Sequence, residues 1–372
     1  MANIFRKTVR KFLFILTIIF CVLYLLTLLV PYLNPQHWWL IGFLGLTFPY
    51  LFFILIFIFF FWLLTKPKFS ILPLISLLLG AKQISVTFGA HFSGKEIAKK
   101  SAGTFRIISW NVANMYGLSN KAEVKQHNRL ELAQSIIDFQ PDIICLQEFN
   151  HSYTQGENAD NIGLFSHQYP NYFYSEDFNK ENGYYTSGSI VFSKYPIIDS
   201  GKVDYPGDFT GSLIYIDVKI NTDTLRIFTT HLQSFGFNNS DYADMNKIKQ
   251  RNEQSIEASK NIFIKMKAAF TNRGLQADIV QSQTDASTHP SIVCGDFNDV
   301  PTSYTYFHIR SNYRQDAFLQ NGLGVGKTYN SLAPMLRIDY ILPDTSFAIK
   351  QFGMVDENLS DHVMLISDLQ LK

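Results

Sequence analysis

The first 90 residues of this 372-residue chain contain no aspartate and no glutamate. They carry seven Lys or Arg side chains, a net charge of +7, which leaves 25 basic and 31 acidic side chains, a net charge of −6, for the remainder. The formal charge of +1 is therefore a cancellation between two unlike parts. An apolar head without acidic residues, on a chain of ordinary globular composition, excludes a single soluble domain, a disordered protein and a collagen-like fibre.

Cysteine is scarce, with only three residues in the chain. Cys21 lies in the apolar head, and Cys145 and Cys294 lie in strand-like apolar runs, so we predict buried, reduced thiols and no disulfide framework. The polar part also lacks heptads, low-complexity tracts and internal repeats. Its length of about 280 residues suffices for one large core or two smaller ones.

Two long uncharged runs predict membrane-spanning helices. Residues 12–30 end at Pro31 and are long enough to cross a hydrocarbon layer of about 30 Å. Residues 38–64 are longer still and begin with the interfacial pair Trp38 and Trp39. A cleaved signal peptide does not fit, because the first run is too long, lacks a small-residue cleavage site and precedes a second run.

Residues 69–88 leave the topology open between two and three spans. Basic residues before the first run and after the second predict that both of these ends lie in the cytoplasm. If residues 69–88 cross the membrane with Lys82 at the far interface, the large domain lies outside the cytoplasm. If they form an interfacial or re-entrant segment, the domain is cytoplasmic. We favour the crossing, and expect an integral protein of the cytoplasmic (inner) membrane whose transmembrane region is residues 1–90.

The rest of the chain is predicted as a polar linker, residues 91–103, and a catalytic domain, residues 104–372. Runs rich in β-branched and aromatic residues alternate with a few helical patterns. Many strands with few helices predict an α+β sandwich with the helices outside. The predicted strands are residues 105–112, 142–148, 187–193, 213–220, 225–231, 291–294, 337–342 and 364–369, and the predicted helices are residues 128–139 and 252–270.

Polar side chains interrupt or end these strands. Most of them have an ordinary explanation, because a carboxylate after a strand is usually a turn or cap residue. Asp339 is different: it lies inside a predicted strand, where a carboxylate without a partner costs several kcal/mol, so it needs a cation such as Arg337 or a histidine. The other polar side chains that end or follow strands are Asn111, Glu148, His231, Asp296, Asn298, Asp361 and His362.

Together these side chains suit one kind of chemistry. The carboxylates and Asn298 are hard oxygen ligands for Mg²⁺ or Mn²⁺, unlike the Cys and His ligands of structural zinc. His231 and His362 titrate near neutrality. A hard cation withdraws charge from a phosphate, a histidine paired with a carboxylate orients or deprotonates water, and Asn or His donates hydrogen bonds to phosphate oxygens. The set therefore predicts phosphoester hydrolysis.

Six ordered motifs resemble the endonuclease/exonuclease/phosphatase superfamily over residues 104–372. The resemblance implies a four-layer α/β sandwich, two packed mixed sheets flanked by helices, with the site at one edge, and here two or three transmembrane helices precede it. The motifs are Trp110-Asn111, Gln147-Glu148, Thr230-His231-Leu232, Gly295-Asp296-Phe297-Asn298, Arg337-Ile338-Asp339-Tyr340 and Ser360-Asp361-His362.

The resemblance also implies a role for each motif residue. Glu148 would be the principal ligand of Mg²⁺ or Mn²⁺, with Asn111 beside it and Asp361 assisting. Asp339 would pair with His362, the general base or the electrostatic partner of the phosphate. Asp296 would position or activate the attacking water, and Asn298 would bind the phosphate or orient that water. His231 would donate a hydrogen bond to a phosphate oxygen.

We therefore expect a membrane-anchored, divalent-metal-dependent phosphodiesterase or phosphoesterase, a phosphoric ester hydrolase. The substrate class stays open among lipid head groups, nucleic acids and small phosphodiesters. One alternative is a nuclease for DNA or RNA, although the −6 charge disfavours a nonspecific nucleic-acid binder. Another is a non-catalytic membrane scaffold. The aromatic side chains Phe235, Phe237 and Tyr242 fit base stacking, an interface or simple packing, and no feature of the sequence indicates an oligomeric state.

Overall fold

The N-terminal part of the chain is a group of apolar helices. The structure, a computed structural model, describes residues 2–91, 97, 99–118, 121–156, 159–207, 211–238, 240–241, 245, 255–331 and 333–372. It begins with α1 (Ala2–Thr27), α2 (Leu40–Thr65), α3 (Ile71–Leu79) and α4 (Ala81–Thr87), with short 3₁₀ turns after α1 and α2. Two stretches, Ile4–Tyr32 and Leu40–Thr65, are long and apolar enough to cross a membrane, which confirms the two long apolar helices predicted from the sequence.

The predicted third span is a bent pair of helices. The stretch Pro67–Leu79 and α4 meet at an angle of 61°. The bend lies at Gly80, where Tyr24 of α1 packs so closely that an added Cβ would lie 1.9 Å from its hydroxyl oxygen. The close approach of the two helices therefore requires glycine at this position.

The rest of the chain alternates strands with helices, and β1 (Gly89–Ala90) pairs with β11 (Leu323–Gly324) at the exit from the helical head. The predicted linker begins within this region, and its residues 92–96 and 98 lie outside the described residues. The other elements are β2 (Phe105–Asn111), α5 (Ala122–Asp138), β3 (Ile143–His151), α6 (Gly163–Ser166), β4 (Asn171–Tyr174), β5 (Phe178–Lys180), β6 (Tyr185–Ser193), β7 (Ile197–Asp204), β8 (Ser212–Ile220), β9 (Asp223–His231), α7 (Ser255–Asp285), β10 (Ser291–Asp296), α8 (Tyr304–Arg310), α9 (Ala317–Asn321), β12 (Asp339–Pro343), β13 (Phe347–Val355) and β14 (Met364–Leu371).

These strands form two mixed sheets. One has the order β13-β14-β2-β3-β6-β4, with β5 also paired to β6, and the other has the order β12-β10-β9-β8-β7. Within each sheet one pair is parallel, β2 with β3 and β9 with β10, and the other pairs are antiparallel. Parallel neighbours end at the same edge of a sheet, so each sheet presents two carboxyl ends side by side.

Alternating side chains on the strands build four layers. On β2, Ile107 packs into the core between the two sheets, whereas its neighbour Ile108 packs on the outer side with Leu132 of α5. On β10, Cys294 lies between the sheets and Val293 packs with α7 on the opposite outer side. This order of helix, sheet, sheet and helix confirms the predicted α+β fold of two packed sheets flanked by helices.

The helical head is joined to the sandwich through α2. Pro49 lies inside α2 and has no N–H, so the carbonyl of Gly45, four residues earlier, lacks its usual helical donor. Thr302, which follows β10, donates its hydroxyl to this carbonyl at 2.9 Å. A side chain of the sandwich thus completes the hydrogen bonding of the apolar helix, as a segment in a low-dielectric environment requires.

A buried ion pair ties the last strand of the sandwich to β2. Arg106 and Asp368 face each other across β2 and β14, with side chains 1% and 0% exposed. The Nε and Nη2 groups of Arg106 donate to the two carboxylate oxygens at 2.6 and 3.0 Å. This bidentate geometry satisfies a charge that has no access to water.

We predict that Asp368→Ala lowers the free energy of unfolding by about 3–5 kcal/mol, because it leaves the buried guanidinium without its counter-charge. Thermal or urea unfolding of the full chain in detergent measures the change. Glu181→Ala is the matched control, since its pair with Lys180 is 59% and 60% exposed and contributes little. Equal effects of the two substitutions would contradict the prediction.

Candidate active site

The carboxyl ends of the two parallel strand pairs meet at one edge of the sandwich. Asn111 ends β2 and Glu148 lies on β3, whereas His231 ends β9 and Asp296 ends β10 in the facing sheet. Just below this edge Gln147 donates its side-chain amide to the hydroxyl of Thr229 at 2.9 Å, a bond from one sheet to the other. The sequence placed Gln147 in a motif without assigning it this bridging contact.

The Asn111 amide lies between two carboxylates. Its Nδ2 donates to Glu148 Oε1 and to Asp296 Oδ2, both at 3.1 Å, while its Oδ1 accepts the N–H of Ala113 at 3.1 Å. His231 Nε2 lies 3.6 Å from Glu148 Oε1 and 3.7 Å from Asp296 Oδ2. Four side chains predicted from separate motifs therefore come together at one point.

Irregular backbone conformations orient the side chains of the site. Glu148 lies in a β-bulge of β3 with a φ of 49°, and its side chain is 36% exposed. Gly295 has a φ of 134°, and a Cβ there would lie 2.0 Å from the carbonyl oxygen of Thr230, so the residue before Asp296 must be glycine. Asn298 has a φ of 52°; its N–H donates to Asp296 Oδ1 at 2.8 Å and its Nδ2 donates to the carbonyl of Leu232 at 3.0 Å.

His362 is the cation that Asp339 requires. His362 Nδ1 lies 3.1 and 3.0 Å from the two carboxylate oxygens of Asp339. The predicted strand placed Asp339 in its interior, but β12 begins at this residue, directly opposite Asp296 of β10. Arg337, the other cation considered, is buried and pairs instead with Asp316 at 2.6 Å.

The pair is charged at neutral pH. Burial disfavours the imidazolium of His362, but the charges of Asp339 and then Asp296 outweigh it and raise the pKa of His362 to about 10. Burial raises the pKa of Asp339 to about 6, because the opposing attraction of His362 offsets burial only in part. The attraction between the two groups favours an ionised carboxylate beside a protonated imidazole.

Hydrogen bonds from neighbouring residues hold this pair in place. Trp110 donates its indole N–H to the carbonyl of His362 at 2.8 Å. Ser360 donates its hydroxyl to the carbonyl of Asn111 at 2.7 Å and accepts the N–H of His362 at 3.1 Å. No role was predicted for these two side chains, although Trp110 and Ser360 lie within the motifs that contain Asn111 and His362.

The charged groups line a cavity of about 340 Å³, the catalytic cavity. Asp361 also lines it, and burial raises its pKa, with His362 opposing the rise. Leu46 of α2 forms part of the wall, a contribution from the apolar head that the sequence did not indicate. Phe235 and Phe237 line it as well, stacked with centroids 5.3 Å apart, whereas Tyr242 lies outside the described residues.

The acidic groups at this edge suit a divalent cation. Asp296, Asp339 and His362 each offer a ligand atom, and these atoms lie within 4.8 Å of one another. However, His362 and Asp339 already bind each other, and a protonated imidazole does not ligate a metal. A better-suited ligand is the carboxylate of Glu148, which is 36% exposed and lies beside the neutral Asn111 amide, because hard divalent cations prefer carboxylate and amide oxygens.

Comparison with known proteins agrees with this geometry. A sequence model of the endonuclease/exonuclease/phosphatase family matches residues 108–362, and a model for a domain of unknown function, DUF8431, matches residues 10–87. No curated protein compared with the chain matches it.

Solved structures share the fold. An endonuclease/exonuclease/phosphatase from Beutenbergia cavernae is 19% identical, with 73% of this chain and 72% of that chain covered and a TM-score of 0.52. The human Nocturnin catalytic domain with bound sulfate anion is 19% identical, with 74% of this chain and 97% of that chain covered and a TM-score of 0.51. At these identities the likeness extends to the fold alone.

We predict that His362 stays protonated at pH 8 in the metal-free protein and that Asp339→Asn makes it neutral. The substitution removes the main cause that raises the pKa of His362 to about 10, while burial still lowers it. Because the folded-state pKa is the higher one, the pair stabilises the fold at neutral pH and the effect is lost as pH rises through about 10. Imidazole ¹⁵N chemical shifts in the presence of a chelator report the protonation state.

The control for this titration is Asp199→Asn, which removes an exposed carboxylate on β7. It should leave the His362 signal unchanged. A neutral His362 in the wild-type protein at pH 8 would contradict the assignment of the pair.

Proposed function

Because this chain belongs to the endonuclease/exonuclease/phosphatase family, whose members are hydrolases of phosphoesters, we propose that it is a membrane-anchored, divalent-metal-dependent phosphodiesterase. The observation that carries the proposal is the convergence of Glu148, Asp296 and the protonated His362 on one cavity at the edge of the sandwich. Adjacent anionic and cationic groups suit a reaction in which a cation and a phosphate must both be held.

Glu148 would be the main ligand of Mg²⁺ or Mn²⁺, with Asn111 beside it and Asp361 assisting. Such a cation supplies positive charge to the phosphate oxygens and so lowers the barrier to attack by water. As a ligand Asn111 would turn its amide, since its Nδ2 now faces the two carboxylates and its Oδ1 faces Ala113.

The contact with Asp339 favours one of the two expected roles of His362. With the Asp339 carboxylate beside its imidazole, His362 would serve as the electrostatic partner of the phosphate, and the general base would be another group. Asp296 is then the group that orients or deprotonates water, since its carboxylate is 1% exposed and lies 3.6 Å from His362 Nε2. His231 would donate to a phosphate oxygen and Asn298 would orient the phosphate or the water.

We predict that the full chain hydrolyses the water-soluble diester bis(p-nitrophenyl) phosphate with Mg²⁺ or Mn²⁺ and loses this activity in a chelator. Glu148→Ala and His362→Ala should each lower kcat/KM at least 100-fold, because they remove the main metal ligand and the cation facing the phosphate. Release of p-nitrophenolate measures the rate.

Two exposed residues provide matched controls, Glu257→Ala on α7 and His127→Ala on α5, and both variants should retain full activity. Wild-type protein that hydrolyses no diester with either metal would support the scaffold alternative. Full activity in Glu148→Ala and His362→Ala would refute the assigned site.

The packing of the helical head supports an assignment of the side of the membrane on which the domain lies. Phe69 packs on Phe14 with ring centroids 4.7 Å apart, and Lys82 Nζ lies 3.3 Å from the Tyr32 hydroxyl. The bent pair therefore follows α1 from its basic end to its far end, roughly 27 Å at 1.5 Å per residue. The sandwich contacts that far end, where Asn34 donates to Asp278 at 2.9 Å.

This arrangement supports three crossings, with the catalytic domain on the non-cytoplasmic side. The basic residues that flank the spans, from Arg6 to Lys11 and at Lys66 and Lys68, lie at the opposite end of the helices from the domain. Basic flanks stay in the cytoplasm, so the domain lies across the membrane from them.

We predict that protease added to sealed right-side-out membrane vesicles degrades the catalytic domain, and that inside-out vesicles protect it. The physical reason is that the domain packs against the end of α1 and α2 that lies away from the basic flanks. Immunoblotting for a C-terminal epitope measures the cleavage.

An N-terminal epitope is the internal control, since it should show the opposite protection pattern. Protection of the domain in right-side-out vesicles would overturn the three-crossing topology.

A further inference from the structure

A second cavity adjoins the catalytic cavity. It has a volume of about 290 Å³ and lies between α2 and the sandwich, and we call it the tail cavity. Gly45, Pro49 and Tyr50 of α2 form one wall, and Ile262 and Met266 of α7 contribute to another. Nearly all the side chains that line it are hydrocarbon or aromatic, in contrast to the carboxylates and histidine of the catalytic cavity.

The two cavities share part of their walls. Both are bounded by Leu46, Phe235, Phe237, Val300 and Leu336, which therefore form the boundary between a charged end and an apolar end. The result is one cleft with two chemical characters, of the kind that suits an amphiphilic ligand.

The apolar end lies at the level of the membrane helix. Gly45 and Pro49 lie in the second and third turns of α2, roughly 7 to 14 Å along the helix from its first residue. A membrane span that begins at Leu40 would place these two turns of α2 in the outer part of a hydrocarbon layer of about 30 Å. A chain in the tail cavity would therefore be at the same depth as lipid chains in the adjacent leaflet.

We propose that the cleft binds a membrane phospholipid-like phosphoester, with its hydrocarbon chain in the tail cavity and its phosphate at Glu148, Asp296 and His362. The inference rests on the proposed hydrolase function and names its substrate class. The reaction is hydrolysis: the oxygen of a water molecule forms the new bond to phosphorus, one P–O ester bond breaks, and the departing alcohol oxygen takes up the proton.

The cleft favours this ligand over nucleic acid on two grounds. A nucleic acid has phosphates and bases but no hydrocarbon chain, so it would leave the apolar cavity against α2 without a complementary group. The net charge of −6 outside the head also disfavours binding of a polyanion, which is strengthened by a surplus of basic side chains.

The test uses alkyl p-nitrophenyl phosphates, which share one leaving group and differ in the length of the alkyl chain. With the full chain in lipid nanodiscs, we expect kcat/KM for the octyl ester to exceed that for the methyl ester at least 10-fold. Each methylene buried from water contributes favourably to binding, so the preference should grow with chain length until the cavity is filled.

Met266→Trp fills the tail cavity and should lower the octyl-to-methyl ratio at least fivefold. Ile264→Trp is the matched control, because Ile264 lies on the same helix with 52% of its side chain exposed and does not line the cavity. Met335→Phe, a smaller change in the same cavity, serves if Met266→Trp fails to fold.

The outcomes separate the two proposals. Hydrolysis of both esters with equal kcat/KM would overturn the tail cavity while leaving the hydrolase intact, and so would an octyl preference that persists in Met266→Trp and Met335→Phe, since that indicates partitioning into the bilayer. Faster cleavage of a single-stranded oligonucleotide than of phospholipid vesicles would also overturn it. No hydrolysis of either ester would refute the proposed function itself.

Discussion

The site depends on one geometric constraint: each sheet contributes a parallel strand pair, and the two pairs end at the same edge of the sandwich. Parallel neighbours cannot place their carboxyl ends anywhere else, so Asn111 and Glu148 of one sheet face His231 and Asp296 of the other. The inter-sheet core and the bond from Gln147 to Thr229 then fix the separation of the two groups. The geometry of the site is thus a property of sheet packing more than of any single loop.

Burial determines how the charged side chains of the site interact. Asp296 and Asp339 lie almost entirely out of contact with solvent, and His362 is the cationic side chain placed between them. Removing charges from water is costly unless they are paired, and toward Glu148 the negative charge meets the neutral Asn111 amide and the imidazole of His231. The imbalance makes this edge receptive to a divalent cation, in keeping with the family to which the chain belongs.

The sequence predicted the fold class, and it identified polar side chains that the structure brings together at one edge, because strand periodicity and strand-end polarity are local patterns. The strand pattern alone left Arg337 and a histidine open as the partner of Asp339, and only the resemblance of the motifs pointed to His362. The pattern could not show that β12 starts at Asp339 or that Arg337 pairs with Asp316. It also could not indicate the break at Gly80, which follows from the approach of Tyr24, or the contribution of Leu46. These features arise from contacts between segments far apart in the chain.

The bond from Thr302 to the carbonyl that Pro49 leaves free has a mechanical consequence. It fixes the sandwich to α2 at the same turns that supply Leu46 to the catalytic cavity and Gly45 to the tail cavity. The apolar helix and the sandwich therefore form the walls of both cavities as one unit, and a movement of α2 would carry the attached part of the sandwich with it.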